Sequence, residues 1–160
     1  NLARTCKEIR VHGQSQRYVH TRIGVGGRMD TLQCAVVLAK LERFDWEIAQ
    51  RQRIAQRYHE LLRAADMRLV TSRPDRTSVY AQYTVVVPDR DTLQERLTEA
   101  GIPTAVHYPV PLNAQLGYKH LCCLDCTPVA QRVAKRVMSL PMSPDLSAEN
   151  QERIVSALFK

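Results

Sequence analysis

The chain has 160 residues, of which 44% are hydrophobic, and this length fits one domain, or one domain and a piece of another, with a buried apolar core. No run approaches the roughly 20 apolar residues of a membrane-spanning helix and the start has no signal-peptide pattern, so we expect no membrane segment. The formal net charge of +7 suits acidic partners, but the basic residues are scattered over residues 10–76 without a block, which favours solvated helix faces over nucleic-acid binding.

The start of the chain and its cysteines indicate its context. The chain begins at Asn1 rather than at methionine, and we expect it to be part of a longer polypeptide. Its five cysteines are an odd number and do not form the framework of a secreted disulfide-rich protein. Because disulfides are rare in reducing compartments, we expect a cytoplasmic protein.

A glycine-rich loop precedes the first long helix. Before it, residues 2–11 can form one or two helical turns, and residues 18–23 can be extended. The loop Gly24-Val25-Gly26-Gly27-Arg28 offers backbone N–H groups and an arginine fork next to a helix, which suits an anion. An ordinary turn is the alternative, because the loop is neither a dinucleotide fingerprint nor a P-loop.

Two helices then follow almost without a break. Asp30 or Thr31 can cap the first, which carries apolar residues at helical spacing from Leu32 onward. The second is predicted over residues 46–65, with Tyr58 among the residues on its buried side. Adjoining helices of this length often link domains or carry a subunit contact, and we expect one of these roles here.

The second half of the chain alternates strands and shorter helices. The predicted elements are a strand over 79–87, a helix from Asp89 or Asp91 to Ala100 that Gly101 closes, a strand over 104–106, a helix over 127–138, an extended segment over 139–144 and a last helix from Ser147. Tyr83, Val85 and Val87 share one face of the first strand. Val129, Val133 and Val137 face inward from the helix over 127–138. We therefore predict an α/β or α+β fold in which helices pack on a small sheet.

The stretch Ile102-Pro103-Thr104-Ala105-Val106-His107-Tyr108-Pro109-Val110-Pro111-Leu112 is the candidate functional segment. Its three prolines exclude a helix and push the residues before them into extended conformations. His107 and Tyr108 stand where the short strand ends, and an imidazole and a phenol on restrained backbone suit the binding of a ligand. The alternative is structural, with His107 capping an edge of the core and Tyr108 packing.

A cluster of cysteines lies in the loop before the helix over 127–138. Cys122, Cys123 and Cys126 fall within five residues, whereas Cys6 and Cys34 stand alone. A structural zinc site usually uses two separated pairs of ligands, and the sequence has no second pair. We expect free thiols and no metal site.

Four stretches together resemble the DegT/DnrJ/EryC1/StrS family of sugar aminotransferases, which are pyridoxal-phosphate (PLP) enzymes of aspartate-aminotransferase fold type I. These stretches are residues 9–14, 23–33, 101–112 and 140–142, and they occur in the order of the family. The resemblance implies that residues 1–30 are the tail of the large PLP-binding domain. Residues 31–160 would then be linking helices and the C-terminal small domain, with a small, mostly antiparallel sheet.

The resemblance also implies roles for individual residues. The loop over 24–28 would reach the active site of the partner subunit in a homodimer, where Arg28 would hold the carboxylate of the substrate sugar. His107 and Tyr108 would line the sugar-nucleotide pocket. The substrate would be a UDP-linked 3-keto-hexuronic acid, aminated from glutamate during synthesis of lipopolysaccharide or another bacterial surface polysaccharide.

The same resemblance places the Schiff-base lysine in a large N-terminal domain that this sequence does not include. None of the five lysines suggests a desolvated, reactive amine, so we expect the chain alone to be inactive. One departure concerns the cofactor: close relatives carry Asn at Gly26, and that side chain holds the cofactor phosphate of the neighbouring subunit. Gly26 can offer only its backbone N–H.

Two other functions stay open at this stage. The chain can be a non-catalytic dimerisation scaffold whose contact is carried by the helices over 31–65. It can also belong to a sugar dehydratase of the same family, in which histidine replaces the lysine.

Overall fold

The computed structural model describes residues 1–64, 67–121, 123 and 125–159, and the chain divides into two compact units, residues 1–44 and residues 45–160. The elements in chain order are α1 (Leu2–Arg10), β1 (Gln14–Gln16), β2 (Val19–His20), α2 (Thr31–Leu41), α3 (Phe44–Arg63), β3 (Tyr83–Val86), α4 (Arg90–Glu99), a 3-10 turn (Leu112–Ala114), α5 (Pro128–Ala134), β4 (Val137–Leu140) and α6 (Ala148–Leu158). Helices thus accompany two small antiparallel sheets, β1–β2 and β3–β4, which is the predicted α+β class.

The buried carboxylate of Glu8 ties the first unit together. It accepts hydrogen bonds from the Nε atoms of Arg4 and Arg22, each at 2.8 Å. Its backbone carbonyl accepts from the N–H groups of Val11 and Gly13. The Arg22 guanidinium, followed by that of Arg4, lowers the pKa of the Glu8 carboxyl below its ordinary value. One residue of α1 therefore connects the helix to the turn after it and to the segment after β2.

Helix α2 is capped as predicted but has no buried residue. The Asp30 side chain accepts a hydrogen bond from the N–H of Gln33 at 2.8 Å, which satisfies one of the unpaired donors of the first turn. Its large apolar side chains are open to solvent, as shown by Leu32, which is 78% exposed, and Leu38, which is 65% exposed.

The sheet of the second unit centres on β3 and β4. The two strands pair antiparallel, with Tyr83 opposite Leu140 and Val86 opposite Val137. A bridge at Leu69 extends the sheet beyond β3, and a bridge at Ala105 extends it beyond β4. Both central strands therefore have a hydrogen-bonded neighbour on each side.

Helices α3, α4 and α6 close the core of the second unit against this sheet. The core consists of Ile54, Ala55, Tyr58, Leu62, Tyr83, Val85, Val87, Leu97, Ile102, Met138, Leu140, Ile154 and Leu158. Burial raises the pKa of the Tyr58 phenol, whose hydroxyl donates to the carbonyl of Pro141 at 3.0 Å. Tyr83, Val85 and Val87, which were predicted to share one face of the strand, are all buried in this core.

Strand β4 corrects the helix predicted over residues 127–138. Helix α5 ends at Ala134, whereas Val137 and Met138 belong to β4, and all four residues of that strand are buried. Val129, which was predicted to face inward, is 59% exposed. The cause is tertiary, because pairing with β3 and Ala105 overrides the helical spacing of the local sequence.

The other predicted strands are shorter than expected. The strand predicted over 79–87 is regular only in β3, and the one over 104–106 forms a single bridge at Ala105. The second long helix ends at Arg63, and the last predicted residue, Ala65, lies outside the described residues.

Local end signals are confirmed. Asp89 caps α4 through the N–H of Thr92, and Ser147 caps α6 through the N–H of Asn150. Gly101 follows α4 with a φ of 69°, a left-handed conformation in which glycine carries no steric penalty.

Candidate functional site

His107 and Tyr108 lie where the chain leaves the edge of the β3–β4 sheet. Ala105 exchanges two backbone hydrogen bonds with Ser139 of β4, and the extended segment beyond it carries the two rings. The peptide bond between His107 and Tyr108 is cis. The rings meet edge to face with centroids 5.6 Å apart, and Tyr108 is 71% exposed. Within the described residues, Tyr108 therefore does not pack as the structural alternative expected.

Two cavities meet at His107. The larger, of about 570 Å³, lies between residues 107–112 and α5 and is lined mainly by apolar side chains. The smaller, of about 270 Å³, is lined by residues 103–105 and 139–142 together with His107. The fold therefore brings together two of the stretches, 101–112 and 140–142, that carry the family resemblance.

A short row of hydroxyl groups supports the imidazole. His107 Nδ1 lies 3.1 Å from Ser139 Oγ, which in turn lies 3.2 Å from Thr84 Oγ1. Neither Ser139 nor Thr84 was predicted from the sequence. They are 32 and 55 residues from their partners in this row, and the bridge between Ala105 and β4 brings Ser139 to the histidine, while the pairing of β3 with β4 adds Thr84. The one signal in the sequence was that Ser139 adjoins the stretch 140–142.

In the first unit, close packing of backbones explains part of the glycine-rich loop. A Cβ at Gly24 would lie 2.1 Å from the backbone nitrogen of Gly13. Gly13 itself has a φ of 76°, and a Cβ there would lie 1.8 Å from the carbonyl oxygen of Arg22. Gly13 and Gly24 are therefore required by the approach of two chain segments, whatever the loop binds.

Gly26 faces a different environment. It forms an antiparallel bridge with Val11, flanked by hydrogen bonds from Gly27 N to Arg10 O and from His12 N to Val25 O. This pattern makes Gly26 and Val11 a non-hydrogen-bonded pair, so the Gly26 N–H points away from the bridge. The imidazole of His12 lies close to Gly26, because a Cβ at Gly26 would be 3.1 Å from His12 Cε1.

Arg28 follows this bridge and is exposed. Its guanidinium has no ion-pair partner within the described part of the chain. Gly26 and Arg28 belong to residues 1–44, whereas His107 and Tyr108 belong to residues 45–160. Their participation in one site stays a prediction.

The lysines do not supply a reactive amine in the described residues. Lys7, Lys40, Lys119 and Lys135 are all exposed, and Lys160 lies outside the described part. An exposed ammonium is not desolvated, so these four side chains lack the apolar environment that activates a lysine for Schiff-base chemistry.

The cysteine cluster differs from the expectation of free thiols. Cys123 and Cys126 form a disulfide, while Cys6 and Cys34 are free, and Cys122 lies outside the described residues. The expectation overlooked that a separation of three residues in a turn brings two thiols within bonding distance. Over the described residues, no group of three or more His, Cys, Asp or Glu side chains is placed to hold a metal ion. Nor does any described helix have the length and apolar character needed to cross a bilayer.

Comparison with known proteins gives this geometry a family. The model of the DegT/DnrJ/EryC1/StrS aminotransferase family matches residues 1–159. A UDP-2-acetamido-2-deoxy-3-oxo-D-glucuronate aminotransferase of Pseudomonas aeruginosa is 44% identical over 157 residues, which are 98% of this chain and 43% of that protein. A pleiotropic regulatory protein of Geobacillus stearothermophilus is 39% identical with the same coverage.

Solved structures agree with the sequence comparison. A family aminotransferase from Brucella abortus has a TM-score of 0.87 and 36% identity, and covers 98% of this chain and 42% of its own. DesV of S. venezuelae, in complex with a ketimine intermediate, has a TM-score of 0.89 and 30% identity, covering 98% and 43%. The chain thus spans less than half the length of the relatives it matches. It belongs to the DegT/DnrJ/EryC1/StrS aminotransferase family.

Proposed function

We propose that this chain is the sugar-binding portion of a PLP-dependent aminotransferase that moves an amino group from glutamate to a nucleotide-linked keto-sugar. The observation that carries the proposal is the 44% identity, over 98% of the chain, to an aminotransferase for UDP-2-acetamido-2-deoxy-3-oxo-D-glucuronate. We place the reaction in the cytoplasm, in the synthesis of lipopolysaccharide or another surface polysaccharide, although the Cys123–Cys126 disulfide is unusual for a reducing compartment.

The exposed guanidinium of Arg28 is suited to the sugar carboxylate. A planar fork of N–H groups can donate two parallel hydrogen bonds to a carboxylate, which fixes both its position and its orientation. A substrate of the hexuronic type carries such a group, whereas a 6-deoxy sugar does not. We therefore propose that Arg28 selects for the acid.

His107 and Tyr108 are suited to the sugar or the diphosphate. The imidazole is held at Nδ1 by Ser139, and the exposed phenol of Tyr108 can donate to or accept from a ligand hydroxyl. The apolar lining of the larger cavity would exclude water from one side of the ligand and strengthen these hydrogen bonds.

The described residues meet one requirement of PLP and miss another. At the phosphate end, the Gly26 N–H points away from its bridge, so it can approach an anion. For the Schiff base, however, every described lysine is exposed. PLP supplies an electron sink for the reaction when it is bound. The residues of this chain bind and orient, and we derive no chemical step on the cofactor from them.

The proposal includes a division of labour between polypeptides. We propose that residues 1–30 are the tail of the large PLP-binding domain, and that residues 31–160 are linking helices and the small domain. The amine that binds PLP would come from the N-terminal large domain, and the loop over 24–28 would serve the partner subunit's site in a homodimer.

A chimera tests this proposal. The segment of the P. aeruginosa enzyme that matches this chain is replaced by residues 1–160, and amino transfer to its UDP-3-oxo-sugar is measured. We expect activity in the chimera and none in the chain alone, where PLP and borohydride should fix no adduct on a defined lysine. A folded chimera that binds PLP but transfers no amino group would contradict the proposal.

Arg28 variants of the chimera test its role. Arg28→Lys keeps the charge but loses the fork, and we expect kcat/KM for the acid to fall by about 10- to 100-fold, the size of one or two charge-assisted hydrogen bonds. Arg10→Lys, another arginine of the first unit, is the control and should leave the rate nearly unchanged.

A second candidate function is a non-catalytic dimerisation scaffold. The observation that favours it is α2, which exposes apolar residues and buries none. A chimera that forms dimers and binds PLP but has no activity would support this function. A dehydratase of the same family is distinguished by the product, because dehydration removes a hydroxyl without adding an amine.

A further inference from the structure

The hydroxyl row behind His107 is built into the sheet. Ser139 and Thr84 are direct partners in the β3–β4 register, where side chains of opposite residues lie on the same face. Ser139 is 5% exposed, and its backbone N–H and carbonyl both bond to Ala105, at 2.7 and 3.2 Å. Ser139 is therefore held by Ala105 through its backbone and by Thr84 through its hydroxyl group, in addition to its contact with the imidazole.

Counting protons gives the row a direction. Ser139 Oγ has two neighbours, Thr84 Oγ1 and His107 Nδ1, and only one proton to donate. If Thr84 donates to Ser139 and Ser139 donates to Nδ1, both hydroxyl protons have an acceptor. In the opposite direction, the Thr84 proton finds no acceptor within the described residues, so the first direction pairs one more donor inside the fold.

The favoured direction also decides which atom His107 presents. With Nδ1 accepting from Ser139, the neutral ring carries its proton on Nε2. The ring lines both cavities, and Nε2 is the nitrogen left for a ligand. An Nε2–H group donates, so it would recognise an acceptor oxygen of a phosphate, a carboxylate or a sugar hydroxyl.

We propose that Ser139 and Thr84 are positioning residues that fix the His107 ring in the Nε2–H tautomer and aim this donor at an acceptor oxygen of the ligand. The identity of that ligand rests on the proposed function above. The orientation and tautomer of the ring do not, because they depend only on contacts within the second unit.

Nitrogen NMR of the chain with 15N-labelled histidine tests the proposal at alkaline pH, where imidazole is neutral. His107→Gln identifies the His107 signals among the five histidines. We expect a protonated Nε2 and a hydrogen-bonded, unprotonated Nδ1. In Ser139→Ala the Nδ1 signal should shift to that of a solvent-exposed ring, and the ring should gain mobility. A Ser139→Ala spectrum with unchanged His107 signals would overturn the proposal, as would an Nδ1–H tautomer in the unaltered chain.

Two further variants sharpen the result. Thr84→Val has nearly the same shape and removes only the donor to Ser139, so we expect a smaller shift of Nδ1 in the same direction. If Ser139→Ala does not fold, Thr84→Val tests the proposal instead, and an unchanged His107 Nδ1 signal in that variant would overturn it. Thr104→Val is the matched control, because Thr104 lines the smaller cavity but its hydroxyl bonds to Gln94. It should leave the Nδ1 signal in place, and an equal shift in this control would count against the proposal.

The functional consequence is measured separately in the chimera. Loss of one positioned hydrogen bond should raise KM for the nucleotide sugar about 3- to 10-fold in Ser139→Ala, with kcat little changed. If the chimera has no activity while the NMR shows the fixed tautomer, the proposed function fails and the positioning of His107 stands. If the chimera is active and Ser139→Ala leaves the His107 signals unchanged, the positioning of His107 is wrong and the proposed function stands.

Discussion

At the scale of single residues, charge and hydrogen bonding decide how this chain is held together. Glu8 is a carboxylate in the first unit that is nearly excluded from solvent and is satisfied by Arg4 and Arg22. Ser139 plays the corresponding neutral role in the second unit, between Thr84 and His107. In both places a buried polar group is fully paired, because an unpaired one would cost more than the pair contributes.

Glu8 makes the stability of the first unit depend on pH. Its pKa is lowered in the folded chain by Arg22 and Arg4, so the folded state holds the ionised form more strongly than the unfolded state. The stabilisation is fully present above the unfolded pKa and is lost as pH falls through the lowered folded pKa. We expect Glu8→Gln to melt at a lower temperature at neutral pH and to approach the parent chain in acid.

Melting curves followed across this pH range would check the prediction for Glu8. The exposed Glu42 provides the control, because Glu42→Gln should melt with the parent at every pH. A Glu8→Gln difference that grows in acid would have the wrong sign for this explanation.

At the scale of elements, nearby residues decide where a helix begins, whereas distant residues decide whether a segment becomes a strand. Asp30, Asp89 and Ser147 cap their helices through side chains a few residues away from the N–H groups they satisfy. Strand β4, by contrast, forms from residues with helical spacing because its neighbours on both sides come from distant parts of the chain.

The difference between α5 and β4 predicts unequal effects of two truncations. Met138 in β4 is 0% exposed, and Met138→Ala should lower the free energy of unfolding by about 2–5 kcal/mol because it leaves a cavity. Val129 in α5 is exposed, and Val129→Ala should change it by less than about 0.5 kcal/mol. Denaturant unfolding of both variants measures this. Similar losses would mean that Met138 is no more buried than Val129, which would contradict the placing of Met138 in β4.

The loop before α5 contains the second element-scale prediction. In a Cys122→Ser chain purified without reductant, thiol titration after denaturation should find two groups, Cys6 and Cys34. After reduction it should find four, as Cys123 and Cys126 are released. Four thiols before reduction would show that this pair is not a disulfide in the purified protein.

At the scale of the whole molecule, α2 is the feature that points beyond the chain. A helix that is apolar around its circumference is normally buried, yet no residue of α2 is buried here. Its polar positions are Thr31, Gln33 and Lys40. The proposed homodimer would cover this helix with a second copy of the chain.

Charges placed on α2 should weaken that assembly. In the chimera, Leu32→Glu combined with Val36→Glu places two carboxylates on one side of the helix, and we expect light scattering to change from a dimer to a monomer. Gln33→Glu adds a charge at a position that is already polar and should leave the dimer intact. A doubly substituted chimera that remains a dimer would exclude this side of α2 from the interface.

The amino-acid sequence by itself determined the family, the α+β class, the helix caps, the left-handed Gly101 and the placing of His107 and Tyr108 at the end of an extended segment. These features depend on residues close together in the chain, or on short motifs that occur in the same order as in the family. The tertiary structure alone decided that residues 137–140 form a strand and that Ser139 and Thr84 stand behind the histidine. Sheet pairing joins residues separated by tens of positions, and local spacing carries no record of which partner a strand will find.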